Sequence, residues 1–149
     1  MLGVGEAAPD FTGTTADGAS FTLSALRGRP VVLFFYPKAN SLGCTLEVRG
    51  FTEHYAEFTT AGVSVVGVSV DSVEAQKKFV EKCGAPFPLV ADLDRAIAKK
   101  FGVVGFLGMA KRVTFLVDGD GRVVDVVEGM SPGPHVRQAL ERLTGSRPS

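Results

Sequence analysis

The stretch PVVLFFYP (30–37) sets six apolar or aromatic side chains in a row between two prolines. Successive side chains of a strand point to opposite faces of its sheet. A run with no polar alternation therefore predicts a strand buried on both faces, in a sheet covered by helices on each side. The stretch GVSVVGVSV (62–70) reads the same way. Between the two, TLEVRGFTEHYAEF (45–58) spaces Phe51, Tyr55 and Phe58 as one face of a helix. After them, DSVEAQKKFVEKCG (71–84) opens on an Asp/Ser cap and stops at Gly84, which marks both ends of a helix. PLVAD (88–92) predicts a short strand and LDRAIAKKFG (93–102) a helix ending at glycine.

The rest of the chain changes pattern. RVTFLVDGDGRVVDVV (112–127) predicts a β-hairpin turning at Asp118–Gly121. GPHVRQALERL (133–143) places Val136, Ala139, Leu140 and Leu143 on one face of a closing helix. Near the N-terminus, only a turn at Asp17-Gly18, a short strand at Phe21–Leu23 and a turn capped by Ser24 are expected. Strand-helix alternation followed by a hairpin predicts an α/β sandwich, a mixed central β-sheet flanked by helices, and a thioredoxin-like fold has this order. The 149 residues suit one domain over 1–149, long enough to bury its own core.

Charge narrows the function. Lys+Arg and Asp+Glu are 16 each, so nothing favours nucleic acid or an anionic membrane. No apolar stretch is long enough to span a bilayer. The start, MLGVGEAAPDF, lacks a basic region followed by an apolar run, so no signal peptide is expected and a cytoplasmic place is. Two cysteines in such a chain are core residues or reactive groups rather than a disulfide framework.

Cys44 lies between the loop YPKANSLG and the helical pattern from Thr45, directly off the C-terminal end of the central strand. Sites in α/β folds gather at such ends. A helix start offers unpaired N–H groups and a partial positive charge, which favour a thiolate over a thiol. Packing as a small buried hydrophobe is the alternative. Glu47, one turn on, is placed to hold the loop or tune nearby groups. Cys83 sits in the last turn of its helix, where the dipole disfavours a thiolate. It is a packing cysteine, or a slow partner for an already oxidised sulfur.

FFYPKANSLGCTLE resembles the active-site stretch of peroxiredoxins, most closely the bacterioferritin comigratory protein, or Q-type, branch. Pro37, Ser41 and Cys44 match the family's Pro-x-x-x-Thr/Ser-x-x-Cys spacing. The similarity continues through GVSVDSVEAQKKFVEKCGAPFPLVADLD, the hairpin KRVTFLVDGDGRVV and the helix HVRQALERL. The resemblance implies a thiol-dependent peroxidase in which Cys44 is the peroxidatic nucleophile and passes through a sulfenic acid. Ser41 would bond the peroxide and Pro37 would shield the loop. It places Arg112 beside Cys44, where a permanent cation stabilises thiolate and leaving oxygen. Backbone N–H groups of Gly43 and Cys44 would add donors. Peroxide is the implied substrate, with electrons from thioredoxin, glutaredoxin or a small thiol. No metal, haem or flavin is implied, and a monomer is expected over a dimer.

Departures from the family matter for turnover. Relatives often carry a second cysteine five residues after the first, where this chain has Arg49. Others resolve from the helix that here spans 72–83, about one turn before Cys83. Cys83 therefore closes a disulfide with Cys44 after local unfolding, or the enzyme has one working cysteine. Leu42 replaces a usual proline, and serine at 41 replaces the commoner threonine. The glycine-rich stretch FGVVGFLGMAK (101–111) is expected to tuck into the core.

Other motifs are set aside. Gly102, Gly105 and Gly108 do not make a dinucleotide fingerprint. Asp118 and Asp120 lack the other ligands of a calcium loop. His54 rotates away from Cys44, and His135 is expected on the surface of the last helix. Without a Cys-x-x-Cys pair, thiol–disulfide exchange is disfavoured. A peroxide sensor or a non-catalytic thioredoxin-fold binding module remains the rival.

Overall fold

A computed structural model describes residues 1–145. The strands are β1 (Thr12–Thr15), β2 (Ser20–Thr22), β3 (Val31–Phe35), β4 (Ser64–Ser69), β5 (Leu89–Ala91), β6 (Val113–Val117) and β7 (Val123–Glu128). The helices are α1 (Leu42–Glu53), α2 (Tyr55–Thr60), α3 (Val73–Cys83), α4 (Ala96–Phe101) and α5 (Pro132–Thr144). The strands form one mixed sheet in the order β2-β1-β5-β4-β3-β6-β7. β3 pairs parallel with β4 and antiparallel with β6.

The continuous apolar run has the predicted consequence. Val31, Leu33 and Phe35 enter one core with Phe101 of α4 and Phe115 of β6. Val32, Phe34 and Tyr36 enter the other, with Val48 and Phe51 of α1, Phe79 of α3 and Leu140 of α5. Phe34 stacks on Phe51 with ring centroids 4.6 Å apart, which fixes α1 against the sheet.

Several boundaries differ from the sequence reading. The helix expected over 45–58 starts earlier, at Leu42, and breaks at His54 into α1 and α2. The helix expected from 93 begins at Ala96, because the Asp92 carboxylate accepts from the N–H groups of Ile97 and Ala98. β1 was not foreseen: its sequence TGTT has no apolar alternation, and pairing with β2 and β5 stabilises it instead. The stretch 101–111 is only partly tucked in. Val103 and Ala110 are buried, whereas Phe106 and Leu107 are 81% and 77% exposed on a short turn.

Register brings the site together. Phe35 lies opposite Val113, so Arg112, one residue before β6, reaches the C-terminal end of β3. The loop from that end leads into α1. Alternation along β6 sends Arg112, Thr114 and Leu116 to the face that α1 and α5 cover.

Candidate active site

Cys44 is the third residue of α1 and fully buried. The first intrahelical bond of α1 runs from Thr45 N–H to the Ser41 carbonyl at 2.9 Å. The N–H groups of Leu42, Gly43 and Cys44 therefore have no partner within the helix, and the thiol sits in their field. Starting the helix at Leu42 rather than Thr45 puts Cys44 deeper in that field than the sequence pattern implied.

Arg112 is 4% exposed, and its Nη2 donates to Cys44 Sγ at 3.4 Å. Its Nη1 donates to Glu47 Oε1 at 2.6 Å. Glu47 is also fully buried, one turn after Cys44 on α1. Burial pushes the Glu47 carboxyl up to about 7, against the opposing pull of the Arg112 charge and hydrogen bond. Cys44, Glu47 and Arg112 thus form one buried cluster at the end of the central strand.

Gly43 is required by close approach. A Cβ at that position would lie 2.8 Å from Arg112 Nη2, so any side chain must displace the guanidinium. Gly43→Ala is expected to slow oxidation of Cys44 at least tenfold while leaving the melting temperature within a few degrees. The rate of peroxide consumption and a thermal melt check this.

Glu47 also carries a pH signature. A carboxyl raised in the folded state from 4.5 to about 7 binds its proton more tightly than in the unfolded chain. Its contribution to stability is fully present below about pH 4.5 and is lost as pH rises through about 7. Glu47→Gln cannot titrate, so the fall in melting temperature between pH 5 and pH 8 should flatten in that variant.

Ser41 and Pro37 frame the loop. Ser41 is the N-cap residue of α1, but its hydroxyl donates to the Lys38 carbonyl at 3.0 Å rather than capping the helix. Its lone pairs remain to accept a hydrogen bond. Pro37 follows the buried Tyr36 and is half-buried. Asn40, in the left-handed region at φ 66°, accepts from Lys82 Nζ at 2.7 Å, which ties the loop to the last turn of α3. Ala39 N–H donates to Asp71 Oδ2 at 2.7 Å.

Cys83 is half-buried, and Cys44 and Cys83 form no disulfide. Burial pushes the Cys83 thiol up, and the charges of Arg49 and Lys82 with the Thr45 hydroxyl offset that only in part. Those neighbours put Cys83 against the flank of α1, beside the residue that follows Cys44. The sequence reading allows Cys83 as a partner of Cys44 only after local unfolding.

His135 corrects another expectation. It is fully buried rather than on the surface of the last helix. Nδ1 bonds Thr114 Oγ1 at 2.8 Å, Nε2 bonds the Gly129 carbonyl at 2.8 Å, and Nδ1 lies 3.7 Å from Glu47 Oε2. The apolar stripe of α5 held the signal, since His135 and Ala139 are one helical turn apart on the same face. Reading histidine as polar narrowed the stripe by one residue. His54 instead bonds Glu57 Oε1 at 2.7 Å, at the break between α1 and α2.

Comparison with known proteins identifies the family. Residues 4–126 match the model of the AhpC/TSA family. Peroxiredoxin Bcp of Escherichia coli K12 is 35% identical over 141 residues, covering 90% of each chain. Among solved structures, peroxidoxin BcpB of Mycobacterium tuberculosis superposes with TM-score 0.91 at 38% identity, covering 99% of this chain and 100% of that one. A bacterioferritin comigratory protein of Xanthomonas campestris, solved in trapped intermediate/ligand complexes bearing on its alkyl peroxide reduction activity, gives TM-score 0.85 at 33% identity, with 91% and 90% covered. The chain belongs to the AhpC/TSA family, as a peroxiredoxin of the Bcp/Q type.

Proposed function

We propose that Cys44 is the peroxidatic nucleophile of a thiol-dependent peroxidase acting on hydrogen peroxide and organic hydroperoxides. One observation carries this reading: a buried thiol at a helix start with an arginine Nη2 at 3.4 Å. The cation and the helix N–H groups place positive potential at the sulfur, and the thiolate is the form that attacks. The sulfur attacks one peroxide oxygen and the O–O bond breaks. Sulfur loses two electrons and becomes a sulfenic acid, while the other oxygen leaves as hydroxide or alkoxide and takes a proton. Arg112 and the N–H groups of Gly43 and Cys44 supply positive potential where that charge develops. Ser41 accepts from the peroxide O–H, Pro37 shields the loop, and Glu47 holds Arg112.

The alkyl peroxide work on the Xanthomonas relative supports organic hydroperoxides as substrates here. A thiol then attacks the sulfenic acid and water leaves; a second thiol attacks the mixed disulfide, releases Cys44 as a thiol and leaves the two reductant sulfurs joined as a disulfide, which accounts for the two electrons. Thioredoxin is the proposed reductant, with glutaredoxin or a small thiol as alternatives. Cys83 is proposed as the resolving thiol after local opening, on the strength of its place beside Thr45. The chain is proposed to act as a monomer in the cytoplasm. Among the described residues no helix is long and apolar enough to cross a membrane. Repeated peroxide consumption in the presence of thioredoxin and its reductase tests the reading. A sensor would consume one equivalent and stop.

A further inference from the structure

The mechanism above uses Arg112 and Glu47 but gives no role to the buried His135 beside them. His135 sits beside Glu47, its Nδ1 3.7 Å from Oε2. Its hydrogen bonds define its protons. A carbonyl only accepts, so Nε2 carries the proton donated to Gly129 O at 2.8 Å. In the neutral ring Nδ1 is then a lone pair, and it accepts from the Thr114 hydroxyl at 2.8 Å.

That assignment has a consequence for Glu47. Its Oε1 is engaged by Arg112, but Oε2 is buried with no hydrogen-bond partner, 3.7 Å from the Nδ1 lone pair. The Thr114 hydroxyl takes the one Nδ1 lone pair, so Oε2 lies beside a ring nitrogen that has no proton to give it. One proton relieves this, on Oε2 once the Thr114 hydroxyl turns off Nδ1, or on Nδ1, where Oε2 and Thr114 Oγ1 share it. In the second case the Thr114 hydroxyl turns and accepts. Either way Glu47 and His135 titrate as a pair.

We propose that His135 is a positioning residue for the peroxidatic reaction: together with Glu47 it holds or releases one proton and so sets how much of the Arg112 charge reaches Cys44. This role rests on the peroxidase reading given above. With the thiolate formed and the pair unprotonated, the cluster holds Cys44 negative, Arg112 positive and Glu47 negative. Adding the shared proton neutralises Glu47 or balances it with a charged ring. Arg112 then acts on the thiolate and on the leaving oxygen without a competing carboxylate.

The surroundings restrict this to few groups. Facing the pair are Thr114 from β6, the Gly129 carbonyl before α5, Arg112 before β6 and, beyond Arg112, Cys44 of α1. Burial first, and then the Arg112 charge, disfavour a proton on the ring, while the Gly129 bond favours it. Burial favours one on Glu47, near neutrality. The proton therefore rests chiefly on the carboxyl, with Nδ1 as its acceptor.

Two substitutions test the role. His135→Gln retains a donor for Gly129 and removes the titrating ring. Thr114→Val removes the hydroxyl that occupies Nδ1 and leaves that lone pair to the shared proton. The reduced wild type and each variant are mixed with hydrogen peroxide from pH 5 to pH 9, quenched, and the oxidised fraction of Cys44 is read by intact mass. The wild-type rate is expected to show a step near neutrality. In His135→Gln the step should vanish or move by about one pH unit or more. In Thr114→Val it should move to higher pH. A merely structural role would change the melting temperatures but leave both profiles superimposed on the wild type, and that result would overturn the assignment. Thr114→Val decides the matter alone if His135→Gln does not fold. Failure of the wild type to be oxidised at Cys44 would instead overturn the peroxidase reading.

Discussion

Replacing Cys44 with serine is expected to abolish peroxide turnover, by at least about a thousandfold, since a serine hydroxyl is a poor nucleophile without an adjacent base. Among the described residues, the side chain that hydrogen-bonds the sulfur is Arg112, a permanent cation that donates and cannot act as a base. The swap of sulfur for oxygen changes little in volume, so the fold should persist. The apolar neighbours Val48 and Phe51 are untouched. Steady-state peroxide consumption with a reductant present, and a thermal melt of the same sample, measure the two effects separately. Retained activity in Cys44→Ser would remove this cysteine from the mechanism.

The second large effect is at Arg112. Arg112→Ala is expected to slow the first oxidation of Cys44 by about 10²–10³-fold, the range for loss of one preorganised donor to developing charge. The same change strands Glu47, and breaking a buried ion pair costs about 3–5 kcal/mol when the remaining charge stays ionised. Glu47 escapes part of this by taking a proton, because burial already raises its carboxyl to about 7. The stability loss of Arg112→Ala should therefore be smaller at pH 5 than at pH 8. Adding Glu47→Gln should recover stability at pH 8 and leave the rate low. Arg112→Lys restores a charge without the two-pronged geometry that reaches both Sγ and Oε1, so its rate should fall between the two. Equal recovery of rate and stability in the double variant would return Arg112 to a structural role.

How much of this was legible in the sequence depends on the kind of signal. The apolar runs 30–37 and 62–70 specify strands buried on both faces, and β3 and β4 lie at the centre of the sheet. Ser72 and Gly84 bracket α3 as expected: the Ser72 hydroxyl accepts from Ala75 N–H, and Gly84 takes the left-handed conformation at φ 67°. The meeting of Cys44 with Arg112 came from the resemblance, because no local pattern links residues 68 apart. The physical cause is the antiparallel register of β3 and β6, which sequence periodicity does not encode.

The misses share an origin in tertiary contacts. β1 is stabilised by its partners rather than by its own side chains. His135 looked like a surface residue because histidine is often polar and exposed. It is buried because Thr114, from β6, and a turn carbonyl satisfy both ring nitrogens. Glu47 was placed near the loop by spacing alone, but its burial and its hold on Arg112 needed the fold. Phe106 and Leu107 went the other way: apolar residues on a tight turn, with Leu107 at φ 55°, point out to solvent.

The most direct test of Cys44 as the oxidised atom is the intact mass of the reduced protein after one equivalent of hydrogen peroxide, under non-reducing conditions. A gain of about 16 Da that is absent in Cys44→Ser is the sulfenic acid predicted here. A loss of about 2 Da is the same chemistry carried one step further, to a disulfide between Cys44 and Cys83. An unchanged mass after a minute, or the same mass change in Cys44→Ser, would contradict Cys44 as the peroxidatic residue.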